Sequence, residues 1–315
     1  MDNMKMDLQL FNESPASLNY AEEYLQGLKQ KFAVGLRFNR LYETPSNDDV
    51  RWSGPKTVQV PRIDTGGMKD VDRDEVGSYT RNVDNSWESK ELEHDREFRT
   101  LVDPVDIDET NMALTIANIT KVFNDEEKIP EMDKYMASKL FEELEDYSGE
   151  IDETEPSTEN ILDIYDDLME KMDEAEVPAE DRILYVTPKI NKMIKNAEDL
   201  NRYIRVDQNT NNVSRNVRSL DEVEIVPVPS SRMKTAYDFS EGAKEDDDAR
   251  QINMILVHPR AMVSPLNYEF VSLDEPSATT GGKYLYYERS YWDVFIFERK
   301  KDGVMMNVEA EEEGD

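Results

Sequence analysis

The sequence predicts an α+β fold, and three observations predict it. Helix-period and strand-period runs are segregated along the chain instead of alternating as strand–helix units. No Gly-rich phosphate loop follows any apolar strand, which argues against a doubly wound parallel sheet. The densest apolar run, Lys283–Met306 (KYLYYERSYWDVFIFERKKDGVMM), has strand character with apolar residues on both faces, so it needs cover on both sides.

The 315 residues are 38% hydrophobic, enough for a substantial core. With 70 acidic against 37 basic residues the formal net charge is −33, which repels phosphate backbones and argues against nucleic-acid binding by counterion release. The chain has no cysteine, so disulfides, thiolate nucleophiles and thiolate metal sites are excluded together. No apolar run approaches the ~20 residues that span a bilayer. The stretch MDNMKMDLQLFNE lacks the basic flank and apolar centre of a secretory signal. The expectation is a chain made in the cytosol with no membrane partner.

Residues 1–45 read as an N-terminal arm, in which Tyr24, Leu25, Leu28, Phe32 and Leu36 return at near-helical spacing. That face either packs on a neighbouring copy or forms a helix on its own domain. From Lys56, TVQVPRI alternates, the chain breaks at Gly66-Gly67 and Gly77, and SWESKELEHDREFRTL resumes. The spacing predicts an extended hairpin within 46–101 whose tip, DTGGMKDVDRDEVGSYTRN, is too polar for a core and belongs on another molecule.

After Asp103-Pro104 the period changes. Met112, Ile116, Ile119 and Phe123 predict one helix. Met132, Tyr135, Met136, Leu140, Leu144 and Tyr147 predict a second, from Pro130 to a stop at Gly149. A third helix, capped by Ser157, carries Ile161, Ile164, Tyr165, Leu168 and Met172 on one face and ends at Val177-Pro178. RILYVT (182–187) reads as a buried strand and Pro188 opens a further helix to Asn196. EVEIVPV (222–228) and INMILVH (252–258) read as strands. In the closing run, Trp292, Val294 and Ile296 oppose Tyr291, Phe295 and Phe297. A turn at Arg299–Gly303, with Gly303 at positive φ, would return Val304–Val308 as their hairpin partner beneath a long helix.

The spacing Asp106-x-Asp108-x-Thr110 matches haloacid-dehalogenase phosphotransferases, in which one carboxylate is the nucleophile, the second a general acid/base, and a metal sits nearby. Here Pro104 interrupts the approaching strand and a helix follows at once. The carboxylates therefore read as charges at a helix N-terminus, and a metal-dependent phosphohydrolase is the alternative from a different class. His94 and His258 lack a second ligand at zinc spacing; His94 reads as solvated or paired and His258 as a cap. No Gly-x-Ser-x-Gly elbow is present. The acidic pairs Glu142-Glu143, Asp166-Asp167 and Asp173-Glu174 read as solvated helix faces. No enzyme activity, cofactor or metal is expected.

Taken in order, the arm, the hairpin with VPRI and EHDREF, VDPVDIDETN, IPEMDKYMASKLFEEL, VPAEDRILYVTP, INMILVHPRAM and YYERSYWDVFIFERKKDGV resemble the major capsid protein of tailed bacteriophages, with the Hong Kong phage-type capsid fold. The resemblance spans nearly the whole chain. It implies an N-terminal arm (1–45), an extended loop (46–101), a peripheral domain with a spine helix (102–148), an axial domain (149–262) and closing peripheral strands (263–315). It implies self-assembly into hexamers and pentamers of an icosahedral shell around double-stranded DNA, a separate scaffolding protein, a portal protein, and residence in the virion after assembly in the host cytoplasm. Contacts between copies would involve Tyr24, Leu28 and Phe32 of the arm and Thr65, Gly66, Gly67, Met68 and Lys69 of the hairpin tip. MKMDLQLFNE resembles a leader that some capsid proteins lose, with cleavage near Phe11 and Asn12, although Met6 and Asn12 depart from that pattern. Lys69 is the one candidate for an isopeptide cross-link; no partner asparagine or glutamate matches, so none is expected. An encapsulin-like nanocompartment shares the resemblance and stands as the second reading.

Overall fold

The computed structural model describes residues 35–54, 56–65, 68, 83–104, 116–197 and 219–311. Helix α1 (Asn39–Tyr42) and strand β1 (Arg51–Trp52) precede a long antiparallel hairpin of β2 (Thr57–Thr65) and β3 (Val83–Glu91), with β1 on the outer edge of β2. After a break at Leu92–His94 comes β4 (Asp95–Val102). Helices α2 (Ile116–Phe123) and α3 (Ile129–Asp146) follow.

Strand β5 (Ile151–Asp152), α4 (Ile161–Glu174), β6 (Ile183–Val186), α5 (Pro188–Asn196), β7 (Ser219–Leu220), β8 (Val223–Pro227), β9 (Tyr237–Asp238), β10 (Lys244–Glu245) and β11 (Ile252–Val257) come next. The chain closes with β12 (Met262–Val263), β13 (Leu266–Asp274), β14 (Tyr284–Trp292), β15 (Phe295–Ile296) and β16 (Val304–Val308).

Six strands form the central sheet in the order β5-β16-β11-β6-β8-β7, with β5/β16 and β6/β8 parallel. Its inner strands β6, β11 and β16 are buried at every residue. The two-residue period sends alternate side chains to opposite sides. Ile183, Tyr185, Ile255, Val257, Val304 and Met306 pack with Met136, Leu140 and Leu144 of α3. Leu184, Val186, Met254, Leu256 and Met305 pack with Ile161, Leu168, Met172, Ile190 and Ile194 of α4 and α5. As expected, α4 buries Ile161, Ile164, Tyr165, Leu168 and Met172, but its N-cap is Asn160 and not Ser157. Helix α5 opens at Pro188 as expected, and the Thr187 hydroxyl caps it by accepting from Ile190 N–H.

A second sheet runs β13-β14-β4. One face meets α2 through the stacked rings of Phe98 and Phe123, 3.7 Å apart. The single hairpin run read over 86–101 therefore divides. Val83–Glu91 pairs with β2, whereas Asp95–Val102 pairs with β14. Leu92 and His94, both buried, pin the chain at the break.

The closing hairpin does not form. Val304–Val308 pairs with β11 and β5 instead of Trp292–Phe297, because Glu298–Gly303 takes tight helical turns that carry the chain to the other sheet. Gly303 does not adopt positive φ; a Cβ there would lie 2.6 Å from the Ala261 Cβ, so close approach selects the glycine. The expected two-sided burial does hold. Trp292, Val294 and Ile296 join the core under α3, while Tyr291 and Phe295, with Phe297 against them, join a cluster with Val58, Val60 and Leu92.

The two helices read around Asn124 are one rod. A π-helical segment, Asn124–Lys128, joins α2 to α3 with right-handed helical dihedrals at both junctions. The rod ends at Asp146, three residues before the predicted stop. Ser148 takes the left-handed conformation (φ 49°), donating to Glu145 O, and Gly149 N–H reaches back to Leu144 O at 2.7 Å. Finally, Leu36, Phe38 and Leu41 are buried in the chain's own core, so the last ten residues of the 1–45 segment lie on its own body.

Candidate assembly surfaces

The hairpin is held at its root and free along one face. At the root, Val58 and Val60 are buried, and Leu92 N–H donates to Lys56 O at 2.8 Å. On the same side, Lys90 meets Glu143 (3.5 Å) and the Tyr147 hydroxyl of α3. Burial disfavours the Lys90 charge, but Tyr147 and Glu143 outweigh it and raise its pKa. Arg62 pairs with Glu298 at 3.2 Å, and Arg299 donates to Ile63 O at 3.1 Å. Ile63 pairs with Asn85, Thr65 with Val83, so Ile63, Val83 and Trp87 share the opposite face. All three are exposed, Ile63 to 62%.

Three buried carboxylates tie the outgoing segments to α3. Asp293 accepts from Glu93 N–H (2.8 Å), Val294 N–H (2.8 Å) and the Tyr135 hydroxyl (2.7 Å). Asp133 accepts from Arg37 and Phe38 N–H at 2.9 and 3.1 Å and pairs with Arg232 at 2.7 Å. Glu143 accepts from Ile296 N–H at 3.2 Å and meets Lys90. Burial raises the pKa of all three carboxylates, partly offset by these donors. Glu143 is thus no solvated face residue, unlike Glu142 beside it; its helical position points it under β15.

A second apolar surface lies on the outer face of the β13-β14-β4 sheet. Tyr268 and Phe270 stand exposed there with rings 6.2 Å apart, Arg289 lies 5.9 Å over Tyr268, and Arg289 pairs with Asp95 on β4 at 2.5–2.9 Å. At the Tyr291 end this same face is covered by the hairpin root. The remainder, with Leu101, is exposed among the described residues. Sequence reasoning missed Tyr268 and Phe270. The signal was the alternation LNYEFVSLD, a half-exposed strand without a charged run to mark it.

Thr65 ends β2 and is exposed, as is Met68 beyond it. Gly66, Gly67, Lys69, Tyr24, Leu28, Phe32, Phe11, Asn12, Asp106 and Asp108 lie outside the described residues. Among the described residues no group of three or more His, Asp or Glu side chains is placed to hold a metal. His94 is neither solvated nor paired. It is 6% exposed, packs against Tyr135 and Trp292, and stands 3.7 Å from Glu131, with its Nε2 lacking a hydrogen-bond partner. Burial and then Arg96 depress its pKa to about 3. His258 does cap, its Nδ1 accepting from Arg260 N–H at 3.2 Å.

No family model matches the sequence, and no curated protein sequence matches it. Solved structures do. The mature capsid of bacteriophage PhiM1 covers 80% of this chain and 81% of its own at a TM-score of 0.60 and 16% identity. The capsid of cyanophage P-SCSP1u covers 83% and 85% at 0.60 and 11% identity. The capsid of Ralstonia phage GP4 covers 84% and 86% at 0.51 and 8% identity. The chain has the phage capsid fold. Within this capsid fold the long rod of α2 and α3 backs both sheets, and the hairpin projects from the junction between them.

Proposed function

We propose that the chain is the structural major capsid protein of a tailed bacteriophage, and that its copies form hexamers and pentamers closing an icosahedral shell around double-stranded DNA. The observation that carries this reading is the capsid fold combined with an exposed apolar ribbon, Ile63, Val83 and Trp87, anchored at its root and not covered by the described residues. Burying that surface against another copy is favourable by roughly 25 cal/mol per Å², and isolated monomers seldom leave such ribbons open.

In this reading α3 is the spine helix, the hairpin is the extended loop, and the central sheet with α4 and α5 is the axial domain, completed by β16 from the closing segment. The hairpin face of one copy covers the open Tyr268–Phe270 face of the next, and the tip around Thr65, Met68 and Lys69 and the arm around Tyr24, Leu28 and Phe32 extend that contact. A separate scaffolding protein and a portal complete the head, which forms in the host cytoplasm. The net charge of −33 per copy supports a wall that does not grip the packaged polyanion. If the leader is cut near Phe11 and Asn12, the intact mass of assembled subunits will be short by those residues.

Negative-stain microscopy and sedimentation of the purified chain at rising concentration test the reading. Rings or shells are expected. A small species of constant size at every concentration, with or without phosphatase activity, overturns it.

A further inference from the structure

Two stripes of opposite charge lie on the helical layer of the central sheet, and among the described residues neither is neutralised. On α5, Lys189, Lys192 and Lys195 recur every three residues, a spacing that keeps them on neighbouring parts of one helical face. Lys189 and Lys192 are exposed and Lys195 half-buried. Among the described residues none of the three has an ion-pair partner. In contrast, Arg40, Arg62, Lys90, Arg96, Lys128, Lys139, Lys171, Arg182, Arg232 and Arg250 all have one. Three adjoining lysines with no described partner, on a chain of net charge −33, are open to an anion from outside.

On α4, Asp163, Asp167, Glu170 and Glu174 follow the i, i+4, i+7, i+11 pattern of a single helical stripe. All four are exposed. Asp167, Glu170 and Glu174 border an open cavity of about 630 Å³ together with Glu150 and Asp302, in which Lys171 is the one lining cation and is taken by Glu150 at 2.6 Å. Asp166 beside them has a raised pKa, from partial burial first and then from Asp221, Asp163 and Asp167. The stripe repels itself, and a cation from outside would relieve it.

The two helices touch each other on the same face of the sheet, yet no described ion pair joins them. The two stripes thus leave each other unpaired. The acidic one turns towards β5 and β16, where Glu150 and Asp302 share its cavity, and α5 lies in the crossover that joins β6 to β8. A surface with complementary patches at two different places makes head-to-tail contacts, and those close into rings when the rotation between copies is suitable.

We propose that the Lys189–Lys192–Lys195 stripe of one copy docks into the acidic cavity of α4 on the next copy, forming the head-to-tail contact of the ring. This rests on the shell-subunit reading and specifies which surfaces of that subunit meet. The occupant is a second copy and not packaged nucleic acid, because the complementary surface, of opposite sign, lies on the same chain and on the same helical layer.

Charge reversal tests it. One variant carries Lys189→Glu, Lys192→Glu and Lys195→Glu; a second carries Asp163→Lys, Asp167→Lys and Glu170→Lys. All but Lys195 are exposed, and far-UV circular dichroism with thermal melting checks that each variant folds. Neither variant alone is expected to form rings, with assembled material falling at least tenfold. An equal mixture is expected to regain rings, since each reversed face then meets a complementary one, as is a single chain carrying all six changes. Folded variants that assemble like the wild type, or a mixture that stays unassembled, overturn this contact. Should the wild type itself form no rings, the shell reading fails, and that outcome is visible without any variant. Wild-type rings that form only with added polyanion, which the lysine variant cannot bind, would assign the stripe to nucleic acid and overturn the proposal.

Discussion

The Tyr135 hydroxyl donates to Asp293 Oδ1 at 2.7 Å, with both side chains buried beneath α3. Through its other oxygen the same carboxylate takes the Glu93 N–H at 2.8 Å. One side chain thus joins the rod, the return of the hairpin and the closing segment, so the direction in which the hairpin leaves the body is set by α3.

Tyr135→Phe removes one donor from that carboxylate and leaves the two main-chain donors in place. A cost of about 1–2 kcal/mol is expected, read as a lower urea midpoint with unchanged slope. An unchanged midpoint would show that the hydroxyl contributes nothing to holding the junction.

His94 has a folded-state pKa of about 3, below its ordinary 6.5. The unfolded chain binds a proton between those values and the folded chain does not, so stability falls as pH drops from 6.5 towards 3, by a few kcal/mol on the order of 1.4 kcal/mol per pH unit. Asp133, Asp293 and Glu143 act in the opposite direction. Their raised pKa values mean that the folded state holds protons more tightly, so each adds stability as pH falls through its folded value towards that of an ordinary carboxylate. His94→Phe, which keeps a ring against Tyr135 and Trp292, is expected to flatten the loss between pH 6.5 and 4 in urea titrations of the unassembled subunit. A slope equal to the wild type's would place the acid sensitivity elsewhere.

Gly149→Ala would put a Cβ 2.1 Å from Cδ1 of the fully buried Leu144 and 3.0 Å from the Leu144 carbonyl oxygen. About 1–3 kcal/mol of destabilisation is expected. Ser148→Gly should stabilise instead, by roughly 0.5–1 kcal/mol with a higher melting temperature, because serine there bears a left-handed conformation that glycine adopts freely. Calorimetry of both variants separates crowding from backbone strain.

Ile63→Ser with Trp87→Ser should leave subunit stability within about 0.5 kcal/mol, since both side chains are exposed, and yet abolish assembly. Val58→Ala and Leu92→Ala, on the buried root, should cost roughly 1–5 kcal/mol and destabilise before they affect assembly. Wild-type particles from the serine variant would show that the open face makes no contact.

Several features were legible because they are local. The stripe of α4, the buried β6 and the opposed faces of Trp292–Phe297 each follow from a repeat of 3.6 or 2 residues, which any neighbour would have to respect. The rod's division at Asn124 was misread because NDEEK interrupts the apolar period, and the π turn absorbs that interruption without ending the helix. Tyr268 and Phe270 escaped notice because exposure, not composition, is what distinguishes an open face from a core.

The sequence alone determined which residues turn inwards, the α+β character and the absence of thiol chemistry, since side-chain direction along a helix or strand depends only on backbone geometry. Only the tertiary structure decided that Val304–Val308 joins β11 and β5, that Asp95–Val102 leaves the hairpin for β14, and that His94 and Glu143 lie inside. A strand's period specifies its two faces but not its partner. The partner is chosen by contacts distant in the chain, where the competing pairings differ in what they bury and not in any local pattern.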